Sequence, residues 1–164
     1  GAMHRLSERH LARMGSGAGE RRRVDVTQRL RQLLGLMRQL HGPRGIEWQA
    51  VADAGITWRG EATDLDEMLG NVLDNAGKWA DARVRVQVSR DGDGLRVEVD
   101  DDGPGLSAEQ ITRLTERGRR FDESVEGSGL GLAITADIAV TYGGDLQFSR
   151  SDLGGLRIRL HLPG

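Results

Sequence analysis

An α/β fold is predicted for this chain because helical and strand periodicities alternate along it. Apolar residues at 30, 33, 34, 37 and 40, and at 65, 68, 69, 72, 73 and 76, recur every three or four positions, as the buried faces of helices do. Arg83-Val84-Arg85-Val86-Gln87-Val88 and Leu95-Arg96-Val97-Glu98-Val99 instead alternate polar with apolar, as half-buried strands do. Another helical stretch and two more alternating runs follow before the chain closes.

Taken in order, Gly1-Ala2-Met3 reads as a cloning remnant and is left out of the fold argument. His4 to Met14 reads as the tail of a helix, broken by Gly15-Ser16-Gly17-Ala18-Gly19, and Arg21-Arg22-Arg23 as a solvated linker. The first full helix starts at Asp25 or Thr27, carries Leu30, Leu33, Leu34, Met37 and Leu40, and stops at Gly42-Pro43. Ile46 to Val51 and Ile56 to Arg59 read as short strands. Thr63-Asp64-Leu65-Asp66 fits the [ST]-x-x-[DE] capping pattern and opens a second helix, with acids in its first turn favouring the dipole. Asp91-Gly92-Asp93-Gly94 joins the two alternating strands as a hairpin turn. Its composition also hints at a calcium loop, but Leu95 stands at the third ligand position and the turn is preferred. Gly103 to Gly127 has little periodicity beyond a helical stretch near Ser107 to Glu116, and reads as a mobile lid. Ile134 to Tyr142 is a helix ended by Gly143-Gly144, and Asp145 to Ser149 and Leu156 to Leu162 are the closing strands.

With 164 residues the chain is one domain with room for a core. A net charge of −2 argues against dedicated nucleic-acid binding. No cysteine is present, so disulfide, thiol and thiolate-metal chemistry are excluded. No run approaches the length of a membrane span, and no membrane contact is expected.

Of 23 basic residues, only Lys78 is a lysine. A sequence so biased to arginine keeps one where a compact, movable ammonium is wanted. With Asn71 at zero on a helical wheel, Asn75 and Lys78 fall about 40° and −20° away, and Glu67 and Asp74 share their arc. Leu65, Met68, Leu69, Val72, Leu73, Ala76 and Trp79 form a separate apolar arc. One helix thus packs on one side and offers amides and an ammonium on the other, which suits a metal–phosphate group; the plainer alternative is an amphipathic surface helix. Asp100-Asp101-Asp102-Gly103-Pro104-Gly105-Leu106 puts acids at a strand end and then a turn where backbone can approach a ligand, and a buried carboxylate there can accept the exocyclic amine of adenine. Alone, it is equally an ordinary turn. Gly127-Ser128-Gly129-Leu130-Gly131-Leu132 leads into the next helix, where glycine amides can face phosphate. Leu132 at the third glycine position breaks the dinucleotide fingerprint, and Val72 breaks a Walker loop ending at Lys78. Alone, this motif is equally a hinge.

Together and in this order, Asn-x₃-Asn-x₂-Lys-aromatic, Asp-x-Gly-x-Gly and Gly-x-Gly-x-Gly-Leu resemble the N, G1 and G2 boxes of the ATP-binding domain of sensor histidine kinases. Arg117-Gly118-Arg119-Arg120-Phe121-Asp122 looks most like the PhoQ-type subgroup. The resemblance implies a two-layer α/β sandwich, a mixed sheet with helices on one face (the Bergerat ATP-binding fold of the GHKL superfamily), with ATP between helix layer and lid. It divides the chain into residues 4–24, the end of a dimerisation helix and a linker, and residues 25–164, the ATP-binding domain. It implies that Asn75 binds Mg²⁺ through its amide oxygen, Asn71 supports the metal–phosphate end, Lys78 meets phosphate and Trp79 flanks the adenine. It implies further that Asp101 accepts from the adenine amine, and that Gly103 and Gly105 allow close approach. Gly127, Gly129 and Gly131 would line the phosphates with Ser128 and Leu130 among them, Leu106 and Leu132 would wall the base, and Arg120 would contact the γ-phosphate. Trp79 stands where Tyr, Phe or His is commoner, and the usual lid phenylalanine pair is not evident.

The family's phosphate-accepting histidine is followed by an acid and a Leu-Arg pair; His4, His10, His41 and His161 all lack that context. The chain is therefore expected to be the ATP-binding part of a two-component kinase and a cytoplasmic domain of an inner-membrane sensor. Its expected partners are ATP, a dimerisation domain carrying the acceptor histidine, and a response regulator. Two rival readings stand. A GHKL-type ATPase related to gyrase, Hsp90 or MutL would want a water-activating glutamate where Asn71 stands, and a nucleotide-binding module without transfer activity would serve docking or sensing.

Overall fold

The computed structural model describes residues 23–119 and 129–164. In it a five-stranded mixed sheet has the order β2-β4-β5-β7-β6, formed by Glu47–Ala52 (β2), Arg83–Asp91 (β4), Gly94–Asp101 (β5), Asp145–Arg150 (β6) and Leu156–Leu162 (β7). Only β2 runs parallel to its neighbour, β4; the remaining pairs are antiparallel. Strands β4 and β5 form a hairpin in which Asp91 pairs with Gly94, and Gly92 takes the φ of 61° that the two-residue turn needs. The calcium alternative is thereby set aside.

Register puts one set of valines and leucines on a single face: Val86 opposite Val99, Val88 opposite Val97, and these opposite Ile158 and Leu160. All six are buried, and with Trp48, Leu95 and Leu162 they form the sheet's half of the core. The opposite face carries charge. There Asp100 is fully buried beneath Arg157, whose Nε donates to it at 2.8 Å, and Arg85 at 3.5 Å.

Four helices complete the described domain: Val26–Leu40 (α1), Ala62–Trp79 (α2), Ala108–Arg119 (α3) and Gly129–Thr141 (α4). Asp25 caps α1, its Oδ1 accepting from Gln28 N at 3.0 Å. Leu30, Leu34 and Met37 are buried as the spacing requires, while Leu40 is exposed. Two expectations for α2 need correction. Thr63 is not its cap: the helix begins at Ala62, with Glu61 in the cap position and no side-chain capping bond. Trp79 does not join the apolar arc, because the helix ends there and the residue is 53% exposed, whereas the other six residues of that arc are buried. Asp64, in the first turn, is fully buried and accepts from the Tyr142 hydroxyl at 2.6 Å. Tyr142 meets Trp58 edge-on at 4.7 Å, an arrangement worth about 0.5–1.5 kcal/mol beyond area burial.

Two further differences concern short or glycine-rich stretches. Arg23–Asp25 (β1) pairs antiparallel with Thr57–Arg59 (β3), so Arg23 and Val24, read as linker, form a small second sheet. Helix α4 starts at Gly129, five residues before the apolar periodicity begins, because Gly129 and Gly131 are themselves helical. No helix among the described residues is long and apolar enough to cross a membrane.

Candidate functional site

A cleft of about 410 Å³ opens between the C-terminal half of α2, the end of β5 and the start of α3. Asn75, Trp79, Asp101, Gly105, Leu106 and Leu132 line it, all singled out from the sequence. The structure thus brings residues from the three glycine- and asparagine-containing motifs to one cavity. Pro104, Gln110, Arg113 and Leu156 line it as well and were not foreseen. Leu156 had no local signal beyond following Gly154-Gly155; only the pairing of β7 with β5 puts it there.

Asp101 is the buried acid of the site. Its Oδ1 accepts from Gly103 N at 2.9 Å and Leu156 N at 3.3 Å. Burial pushes its carboxyl above the ordinary value, against those two N–H groups, and the neighbouring Asp102 and Asp100 charges add to the rise. Asp102 is used differently. Burial raises it too, but its Oδ1 accepts from the N–H groups of Asp81, Ala82 and Arg83 at 2.9–3.0 Å, which together hold it below the ordinary range. It therefore ties the exit of α2 to the end of β5.

The turn after Asp101 is wedged between two backbones. A Cβ on Gly103 would stand 2.2 Å from the Trp79 carbonyl oxygen; one on Gly105, at a φ of 74°, would stand 2.8 Å from that of Gly154. The close neighbours of both glycines in this structure are protein carbonyls. Gly155 is tighter still, with a Cβ position 1.9 Å from Asp101 Oδ1 and 2.5 Å from Asp101 O.

Asn75 is buried, and its Nδ2 has no hydrogen-bond partner among the described residues. Asn71 and Lys78 do not line the cleft. Asn71 Nδ2 donates to Thr135 Oγ1 at 3.3 Å, and Thr135 Oγ1 donates to Gly131 O at 3.0 Å, so this amide joins α2 to α4 beside Gly131. Lys78 Nζ pairs with Asp74 Oδ2 at 3.3 Å. Arg120, Gly127 and Ser128 lie outside the described residues, as does the end of the segment read as a lid, residues 120–127; Gly129 and Leu130 belong to the first turn of α4.

No group of three or more His, Cys, Asp or Glu that would hold a metal occurs among the described residues. Among the described residues a divalent ion would thus have no all-protein cage. The residues present do fit magnesium carried with a polyphosphate, since that ion takes most of its ligands from phosphate and water and Asn75, which lines the cleft, has an amide oxygen to offer.

A buried acid, an open aromatic and three motifs thus meet at one cavity, and comparison with known proteins shows the family to which the chain belongs. Residues 60–164 match the family described as histidine kinase-, DNA gyrase B- and HSP90-like ATPase, and the chain belongs to that family. Within it, the chain fits the ATP-binding domain of a sensor histidine kinase of the PhoQ type. It is 44% identical over 140 residues to the sensor protein kinase CarS of Pseudomonas aeruginosa, covering 85% of this chain and 31% of that protein. It is 33% identical over 159 residues to the virulence sensor histidine kinase PhoQ of Salmonella typhimurium, covering 96% of this chain and 32% of that one. Among solved structures, a mycobacterial sensor histidine kinase, MprB, superposes with a TM-score of 0.74 at 30% identity, covering 88% of this chain and 98% of that chain. The chain thus spans about a third of the length of the curated relatives it matches.

Proposed function

We propose that this domain binds Mg-ATP in the cleft beside α2 and donates the γ-phosphoryl group to a histidine on a dimerisation domain of the same kinase, from which it passes to a response regulator. On this reading residues 25–164 are the ATP-binding unit, with Arg23 and Val24 joined to it through β1, the residues before them belong to a dimerisation helix and linker, and the whole lies on the cytoplasmic side of the membrane. The observation that carries it is the meeting of Asp101, Asn75 and Trp79 in one cavity.

Asp101 accepts the exocyclic amine of adenine, held in place by two backbone N–H groups that fix its orientation. Trp79 supplies an aromatic face to the base, and Leu106 and Leu132 complete the apolar wall. Asn75 supplies an amide oxygen to magnesium, and Asn71 supports that end through its link to α4. Lys78 and, from the lid, Arg120 meet the phosphates, with the glycines at 127, 129 and 131 and the intervening Ser128 and Leu130 around them. When bound, magnesium neutralises charge building on the phosphoryl oxygens. Asn71 lacks a carboxylate, so it cannot serve as the base that activates water in an ATPase; this favours transfer over hydrolysis.

Calorimetry with ATP and GTP tests the adenine assignment. Wild type is expected to prefer ATP, because GTP presents a carbonyl where adenine presents an amine, and Asp101→Asn is expected to lose about tenfold or more of that preference. Equal affinity of wild type for the two nucleotides would reject the assignment.

Trp79 provides a direct signal. Trp48 and Trp58 are buried, and Trp79 alone of the three lines the cleft. Nucleotide binding is expected to change tryptophan emission, and Trp79→Tyr to remove most of the change while ATP still binds. Survival of the signal in Trp79→Tyr would move the base away from this ring.

A further inference from the structure

We propose that His41 is a positioning residue for Lys78, acting through Asp74, and that it thereby sets how the domain meets the phosphates of its nucleotide. The inference rests on the phosphate-binding role proposed above for Lys78.

The His41–Arg44 turn after α1 clamps the end of α2 in two ways. Arg44 donates through its guanidinium to the carbonyl oxygens of Gly77, Lys78 and Ala80. It thus satisfies acceptors that the helix leaves open at its C-terminus and fixes the main chain around Lys78. With the backbone fixed, the place of the ammonium depends on the lysine's own torsions and on whatever holds its tip. Asp74, one turn earlier, holds it at 3.3 Å through Oδ2.

Asp74 is in turn oriented from below. Its Oδ1 lies 2.9 Å from His41 Nε2. The His41 side chain is only 9% exposed, against 35% for Asp74 and 53% for Lys78, so the three run from core to surface. A surface ion pair between flexible side chains contributes little by itself, because ordering them offsets the attraction. An anchor at the buried end removes part of that ordering cost, and His41 is built as one. Its ring packs 6.0 Å from that of Trp48, at 39°. On its other side it lies against Gly77, where a Cβ would come within 2.6 Å of Cδ2 and 2.7 Å of Nε2, the atom that meets Asp74. Glycine inside a helix costs about 0.5–1 kcal/mol relative to alanine. Here it makes room for the ring that orients Asp74.

A double-mutant cycle read with two probes, ATP with magnesium and adenosine, tests the proposal. Lys78→Ala should weaken ATP about tenfold or more. His41→Ala should weaken ATP about two- to fivefold, leave adenosine binding as in wild type, and add nothing in the Lys78→Ala background. A merely structural defect would weaken both probes. Equal losses for ATP and adenosine, an ATP affinity unchanged or improved in His41→Ala, or additive losses in the double variant would each overturn the proposal. Unchanged ATP binding in Lys78→Ala would instead remove the phosphate role of Lys78, and His41's role with it. Should His41→Ala fail to fold, Asp74→Asn, which keeps the side-chain shape and removes the charge, runs the same cycle with the same criteria.

Discussion

Gly155→Ala is expected to abolish nucleotide binding and to destabilise the domain by about 1–3 kcal/mol, the cost of forcing atoms into packed space. The new methyl would fall 1.9 Å from Asp101 Oδ1, 2.5 Å from Asp101 O and 2.8 Å from Gly103 N. Two of these three are backbone atoms of the β5 exit, and the third is the carboxylate proposed to read adenine. Rotating that side chain away would sacrifice its bonds to Gly103 N and Leu156 N. Urea unfolding and ATP calorimetry on the same preparation check both effects. Gly35→Ala is the control: it sits in α1 with nothing within 4 Å of the added carbon, and should stabilise the domain by up to about 1 kcal/mol. Wild-type ATP affinity in Gly155→Ala would show that the β6–β7 loop does not fix Asp101.

The second large effect concerns phosphoryl transfer. In a chain extended to include a dimerisation segment with its acceptor histidine, Asn75→Ala is expected to lower acid-labile, alkali-stable labelling from γ-labelled ATP by about a hundredfold or more, the scale of removing one electrostatic stabiliser of a transition state. Residues 1–164 alone are expected to bind ATP without labelling themselves, since no histidine here carries the acceptor context. Strong self-labelling of this chain, or rapid phosphate release from it, would favour the ATPase reading.

Much of this site is written locally. Asn71, Asn75, Lys78 and Trp79 share one helix, and Asp101, Gly103 and Gly105 share one strand end, so short-range patterns expose both groups. What those patterns miss is set by partners distant in sequence. A helical wheel ranks Asn75 as polar and outward, yet it is buried, and it lines a cleft together with Pro104 and Gly105 of the turn after β5 and Leu132 of α4. The same wheel puts Trp79 inward, yet no further turn of helix follows to cover it. Thr63 matches a capping pattern, but the helix starts one residue before it, where Glu61 N donates to the Tyr142 hydroxyl from the far end of α4. A strand of three residues such as β1 is too short to show alternation, whereas β3 falls within Ile56 to Arg59, which reads as a strand. The sheet order follows from burying apolar faces together and has no local signature.

The bond from Leu156 N to Asp101 has a consequence for the time course of synthesis. During translation β5 emerges more than fifty residues before β7, yet Asp101 reaches its final setting only when β7 inserts between β5 and β6. A nascent chain therefore completes the pocket proposed to read adenine only when its sheet is complete. Nucleotide that binds there is expected to favour finished domains over partly assembled ones.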